Sequence, residues 1–220
     1  MSKKLIAALM ALTAFTAFGV SATSASAAPV LTHPTGTVAP VGTLITGTNT
    51  TETKMTTPFG TVTCTKAEMT GSLTQNSTAS GAKGNVSNAS FTGTGEGGEC
   101  TSWTGGVTVT AGVVGGLPWC LEATTSTDEV KVRGGKCAEV SRGIKFTLDF
   151  TTIGACEYNR SAAAVGNLTT DPEDAVIHLE GQEWTKLAGG GLCPSSGTLD
   201  MTFTLETDTT PTSDPMYFSS

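Results

Sequence analysis

Six cysteines carry the plainest chemistry in this chain: Cys64, Cys100, Cys120, Cys137, Cys156 and Cys193, separated by 36, 20, 17, 19 and 37 residues. Zinc and redox sites use close pairs such as C-x-x-C, because two ligands from one turn lower the entropy of assembling the site. No such pair occurs. An even count in an exported chain instead predicts three disulfides, drawn from fifteen connectivities. Sequential pairing is the expectation among them, since it closes three local loops, and each bridge would add about 2–4 kcal/mol.

Other groups could do chemistry only if the fold brings them together. Asp149, Glu157, Glu180 and Glu183 would hydrolyse a glycosidic bond if two converged on it, but outward carboxylates on strands ordinarily keep a sheet soluble. Asp171-Pro172-Glu173-Asp174 puts three carboxylates in four residues without the alternating spacing of a calcium loop. It reads better as a turn or a single helical turn, with Asp171 as N-cap and Pro172 at N1. His178 could activate a nucleophile, yet no G-x-S-x-G elbow occurs and the thiols are expected to pair. A solvated strand histidine is the expectation, and His33 falls in a leader. Gly93-Thr94-Gly95-Glu96-Gly97-Gly98 matches G-x-G-x-x-G, which cradles a pyrophosphate only where a strand feeds a helix. No helical period follows, so an acidic loop is expected. Trp103, Trp119, Trp184 and Tyr158 could stack on a sugar or apolar ligand. Trp119 shares a face with Leu117 and Leu121 beside Cys120, which suits core packing. Trp103, in a polar Gly-rich loop, is the candidate exposed contact. Asn-x-Ser/Thr occurs at Asn49, Asn76, Asn88, Asn159 and Asn167 and matters only in a host that glycosylates secreted proteins.

The elements that must hold these groups are strands. Residues 1–27 read as a cleaved signal peptide: Lys3 and Lys4, an apolar run Leu5 to Val20, then Ala25-Ser26-Ala27. Cleavage before Ala28 leaves 193 residues with 10 Lys+Arg against 19 Asp+Glu, a net charge of −9. Such a chain, with three mature arginines, does not suit nucleic acid. No later run of eighteen apolar residues predicts a membrane span after cleavage. Six cysteines and charged outer faces also argue against an outer-membrane barrel. Residues 28–41 read as an extended leader, 42–206 as one β-rich domain and 207–220 as a polar tail. Thr and Val are stiff at χ1 and suit a pleated surface. Ile144, Phe146, Leu148 and Phe150 alternate with polar residues; so do Leu199, Met201, Phe203 and Leu205, and Val107, Val109, Ala111 and Val113 form a third inward row. Further strands are expected near 43–48, 61–66, 68–74, 86–92, 117–125, 129–132 and 175–180. Without a sustained helical period, the fold class is all-β: an antiparallel sandwich or closed barrel stapled by disulfides.

The A-x-A signal, the Thr-rich strands and the segments Gly60–Cys64, Leu117–Trp119, Gly154–Tyr158 and Cys193–Gly197 resemble uncharacterised secreted proteins of actinobacterial type. The resemblance covers most of 40–206. It implies an exported β-domain and assigns no catalytic residue, cofactor, metal or partner. The expected function is a secreted, non-enzymatic β-domain that binds an extracellular protein, glycan or small ligand. The alternatives are a barrel carrying a small apolar ligand and a carboxylate-dependent hydrolase.

Overall fold

The computed structural model describes residues 27–111, 116–123, 128–139, 143–171, 174–207 and 214–219. The described residues form strands joined by turns and loops, with a single 3-10 turn at Glu96–Gly98. Alternation sets each strand's faces. In β3 (Thr53–Thr57), Thr53, Met55 and Thr57 are buried while Lys54 and Thr56 are exposed. In β11 (Ile144–Phe150), Ile144, Phe146, Leu148 and Phe150 are buried, as their spacing predicts.

The strands close into a barrel in which every neighbouring pair is antiparallel. Following the chain, the barrel is an up-and-down meander of eight long staves, six of them broken in two. The first stave is β2 (Leu44–Asn49) continued by β3, and the second is β4 (Gly60–Cys64) continued by β5 (Lys66–Ser77). Then come β6 (Gly81–Thr92) with β7 (Cys100–Ser102), β8 (Gly105–Ala111) with β9 (Trp119–Ala123), and β10 (Glu129–Gly134) with β11. The last are β12 (Gly154–Arg160) with β13 (Ala164–Asp171), and the two long strands β14 (Asp174–Ala188) and β15 (Ser196–Thr207). In the lower half, the order β2–β5–β6–β9–β10–β13–β14–β15 returns to β2. In the upper half, β3–β4–β7–β8–β11–β12–β14–β15 returns to β3. Both halves therefore have eight staves around one continuous core. β14 crosses the waist intact, but its register shifts between Leu179 and Gln182. Gly181, at φ 60°, supplies the left-handed residue of that bulge.

Eight strands leave an interior just wide enough for side chains to fill. Tyr158, Phe150, Phe203, Leu148, Ile177 and Leu179 occupy it, fully buried. Two small cavities remain, one of about 40 Å³ in the upper half and one of about 60 Å³ in the lower. The breaks in the staves are where the chain would be weakest, and two disulfides sit there. Cys64–Cys100 joins the second stave to the third, and Cys120–Cys137 joins the fourth to the fifth. The third bridge, Cys156–Cys193, ties β12 to the loop between β14 and β15. Pairing is thus sequential, and no described cysteine is free.

Both chain ends contribute a short strand. Within the expected leader, Val30–Thr32 forms β1; within the expected polar tail, Tyr217–Ser219 forms β16. The two pair antiparallel, Leu31 opposite Phe218. Both residues line the lower cavity, so this ribbon plugs the lower end of the barrel. The apolar residues Val30, Leu31, Met216 and Phe218 are few among many Thr, Ser and Pro, but all four are buried. Asn76 of β5 clasps the ribbon: its Oδ1 accepts from Leu31 N–H at 2.9 Å, and its Nδ2 donates to the Leu31 and Ala39 carbonyls at 2.8 Å each.

Candidate functional site

The meander places the β3–β4, β7–β8, β11–β12 and β14–β15 turns together at the upper end, because each upper stave runs antiparallel to the next. These turns, residues 58–59, 103–104, 151–153 and 189–195, contain Gly, Ser, Thr, Pro and Cys beside Phe59, Trp103, Ile153 and Leu192. They contain no Asp, Glu, Lys or Arg. In an acidic chain, turns without a charged residue of their own stand apart from the walls.

Its centre is aromatic. Phe59 is 57% exposed at the tip of the β3–β4 turn, its ring 6.5 Å from that of Trp103. Trp103 is half-buried and lies 5.4 Å from the ring of Phe150, which belongs to the core. The three rings thus run from solvent into the barrel. Trp103 can sit there because residue 60 is glycine: a Cβ at Gly60 would stand 3.0 Å from the indole Cε3. The φ of Gly60, 142°, is also one that side chains disfavour. Leu192 is 69% exposed in the neighbouring loop.

Hydroxyls brace the turns. Thr57 Oγ1 donates to Gly60 O at 2.8 Å, and Ser102 Oγ donates to Gly105 O at 2.7 Å. Thr152 Oγ1 donates to Thr104 O at 3.2 Å, tying two turns together. The Lys186 ammonium donates to Gly190 O at 3.3 Å and Cys193 O at 3.5 Å, pinning the glycine loop from beneath. With the Cys156–Cys193 bridge, these contacts fix the backbone under the exposed rings. Such fixing lowers the entropy a contact surface loses on binding.

The remaining candidates lie elsewhere. Asp149 and Glu157 occupy β11 and β12, while Glu180 and Glu183 flank the β14 bulge; all four sit on the outer wall, not around the interior. His178 is half-buried on the outer face, its Nδ1 3.3 Å from Thr202 Oγ1 on β15. Residues 93–99 form a tight loop, with Gly93 N–H donating to Gly98 O and Gly95 N–H to Glu99 O, and lead into β7. Pro172 and Glu173 fall outside the described residues; Asp171 and Asp174 pair where β13 turns into β14. Trp119 and Trp184 are core residues, and Tyr158 is wholly buried, its phenol pushed up to about 12 by desolvation. Glu122, buried on the outer wall, is held by Lys83 at 3.1 Å and Arg133 at 3.4 Å. Among the described residues, no three His, Cys, Asp or Glu side chains form a metal-binding group.

Trp103 is thus a braced, partly covered ring, where sequence suggested an exposed loop contact. Phe59 is the functional candidate that spacing missed. Its signal was present: an aromatic between Pro58 and Gly60, at a turn, has no inward position to take.

The fold and this end define a disulfide-stapled, up-and-down antiparallel barrel with a filled core and an aromatic turn end. Comparison with protein-family models, curated proteins and solved structures finds no match for the chain. No helix among the described residues is long and apolar enough to cross a membrane.

Proposed function

We propose that the chain is a secreted, non-enzymatic binding domain that meets an extracellular partner with the turn end of its barrel. The observation that carries this reading is the exposed Phe59 tilted against Trp103 on braced turns that have no charged residue of their own. Exposed aromatic anchors on rigid supports are what binding surfaces use for most of their affinity. The signal-peptide features of residues 1–27 and the three disulfides support an oxidising destination. A carrier of apolar ligands is less well supported, because cavities of about 40 and 60 Å³ are far below the roughly 300–1,000 Å³ of ligand pockets. The outward placement of the carboxylates likewise weakens the hydrolase reading.

The test compares wild type, Phe59→Ser and Lys131→Gln, a substitution on the side wall. Each is co-sedimented with protein-free cell-wall polysaccharide from the producing organism, and separately cross-linked to its surface proteins. Phe59→Ser is expected to weaken binding by about 2 kcal/mol, roughly thirtyfold in Kd. Lys131→Gln should leave it unchanged. Binding that survives Phe59→Ser, or that follows the wall charge, overturns the proposal.

A further inference from the structure

Of the buried side-chain polar atoms that lack a hydrogen-bond partner among the described residues, Thr53 Oγ1, Trp119 Nε1 and Trp184 Nε1 belong to residues around the upper cavity, while Tyr158 Oη and Arg133 Nε do not. Thr53, Trp119 and Trp184 are each more than nine-tenths buried, and all three line the same cavity of about 40 Å³. They come from different staves, β3, β9 and β14. Apart from the disulfide-bonded Cys64, the rest of the wall is hydrocarbon, aromatic or thioether, with one exception. That exception, Gln182, has both ends of its amide committed: Oε1 accepts from Val165 N–H, and Nε2 donates to the Val165 and Glu180 carbonyls.

An indole N–H can only donate, and a buried donor without an acceptor costs about 1–3 kcal/mol. Two such donors and a hydroxyl on one small wall call for an acceptor inside it. The acceptor must be neutral, because no cation lines the cavity to offset a buried charge. It must also be small. A water needs about 10–15 Å³ of such space and two to four polar partners, so the cavity holds about three. We propose that the upper cavity is an internal binding site for a small neutral hydrogen-bond acceptor, filled by a cluster of two or three waters. Trp119 and Trp184 donate to the cluster, and Thr53 joins as donor or acceptor. The lower cavity, closed by Leu31 and Phe218, has no unpartnered buried side chain on its wall among the described residues.

The site is tested by water-selective nuclear Overhauser spectroscopy on uniformly labelled protein, with xenon as a second probe. The indole protons of Trp119 and Trp184 should show cross-peaks to long-lived water, and xenon should leave the methyls around the cavity unshifted. In a Thr53→Val, Trp184→Phe double variant, two of the three polar partners are gone. The cross-peak of Trp119 should be lost, and xenon, which enters dry apolar cavities, should now shift the Met55 and Val62 methyls. Absence of water cross-peaks at both wild-type indoles overturns the proposal, as does xenon entering the wild-type cavity. Should the double variant fail to fold, the wild-type spectra decide by themselves.

Discussion

Replacing Asn76 with alanine should unfasten the β1–β16 ribbon from the lower end of the barrel. The asparagine side chain makes three hydrogen bonds, all at 2.8–2.9 Å, to the backbone of Leu31 and Ala39. At about 1 kcal/mol each, their loss amounts to about 3 kcal/mol, and the Leu31 N–H is left without that acceptor beside a buried side chain. Ala39 N–H still donates to Leu31 O, so the turn is weakened and not erased. A drop of that size in a chain of this length lowers Tm by roughly 6–12 °C. Urea denaturation gives the global figure, and amide exchange locates it: Leu31 and neighbouring amides should lose protection before the barrel strands do. Asn76→Asp is a useful companion, because its carboxylate would keep the acceptor for Leu31 N–H while facing two carbonyls. It should be at least as damaging as alanine at neutral pH and recover in part when acid protonates it. A loss under about 0.5 kcal/mol with unchanged Leu31 exchange would refute the clasp.

Gly60→Ala should displace Trp103 and destabilise the barrel by about 1–3 kcal/mol, since the new Cβ meets the indole at an unfavourable φ of 142°; the Trp103 indole resonance and urea denaturation report it. Tyr158 is raised from 10.0 to about 12 by burial, so its neutral phenol is favoured in the fold. Its contribution to stability is therefore complete below pH 10 and lost between pH 10 and 12; alkaline denaturation of wild type against Tyr158→Phe should diverge in that window. Removing either waist disulfide, Cys64–Cys100 or Cys120–Cys137, opens loops with separations of 36 and 17 residues. Paired alanine substitutions should each cost about 3–4 kcal/mol in denaturant unfolding, and intact mass should show the wild type six hydrogens lighter than its reduced form.

Strands with strong inward rows were legible in the sequence. Ile144–Phe150 and Leu199–Glu206 alternate large apolar residues with polar ones, and both ranges fall within observed strands. β12, β13 and the upper part of β14 were not legible. Inward positions in β13 are Ala164, Gly166 and Leu168, whose small side chains give little hydrophobic contrast. In β14 the Gly181 bulge shifts the phase, so alternation from Ala175 to Leu179 does not extend to Gln182 and Trp184. Closure could not be read either, because pairing of β15 with β2 and β3 joins the last stave to the first and depends on twist and register, not on local pattern. The turn end was half-legible: Trp103 stood out by type, but its neighbours Phe59 and Phe150 lie 44 and 47 residues away along the chain.

The ribbon at the lower end gives the molecule a direction. β1 and β16 bring the two extremities of the folded unit to the same pole, while Phe59 and Trp103 stand at the other. A tether, tag or second module joined at either extremity would therefore leave the aromatic pole facing outward. Immobilised by an end, the protein would present its turns as a monolayer of uniform orientation; immobilised through wall lysines, it would lie on its side and hide them.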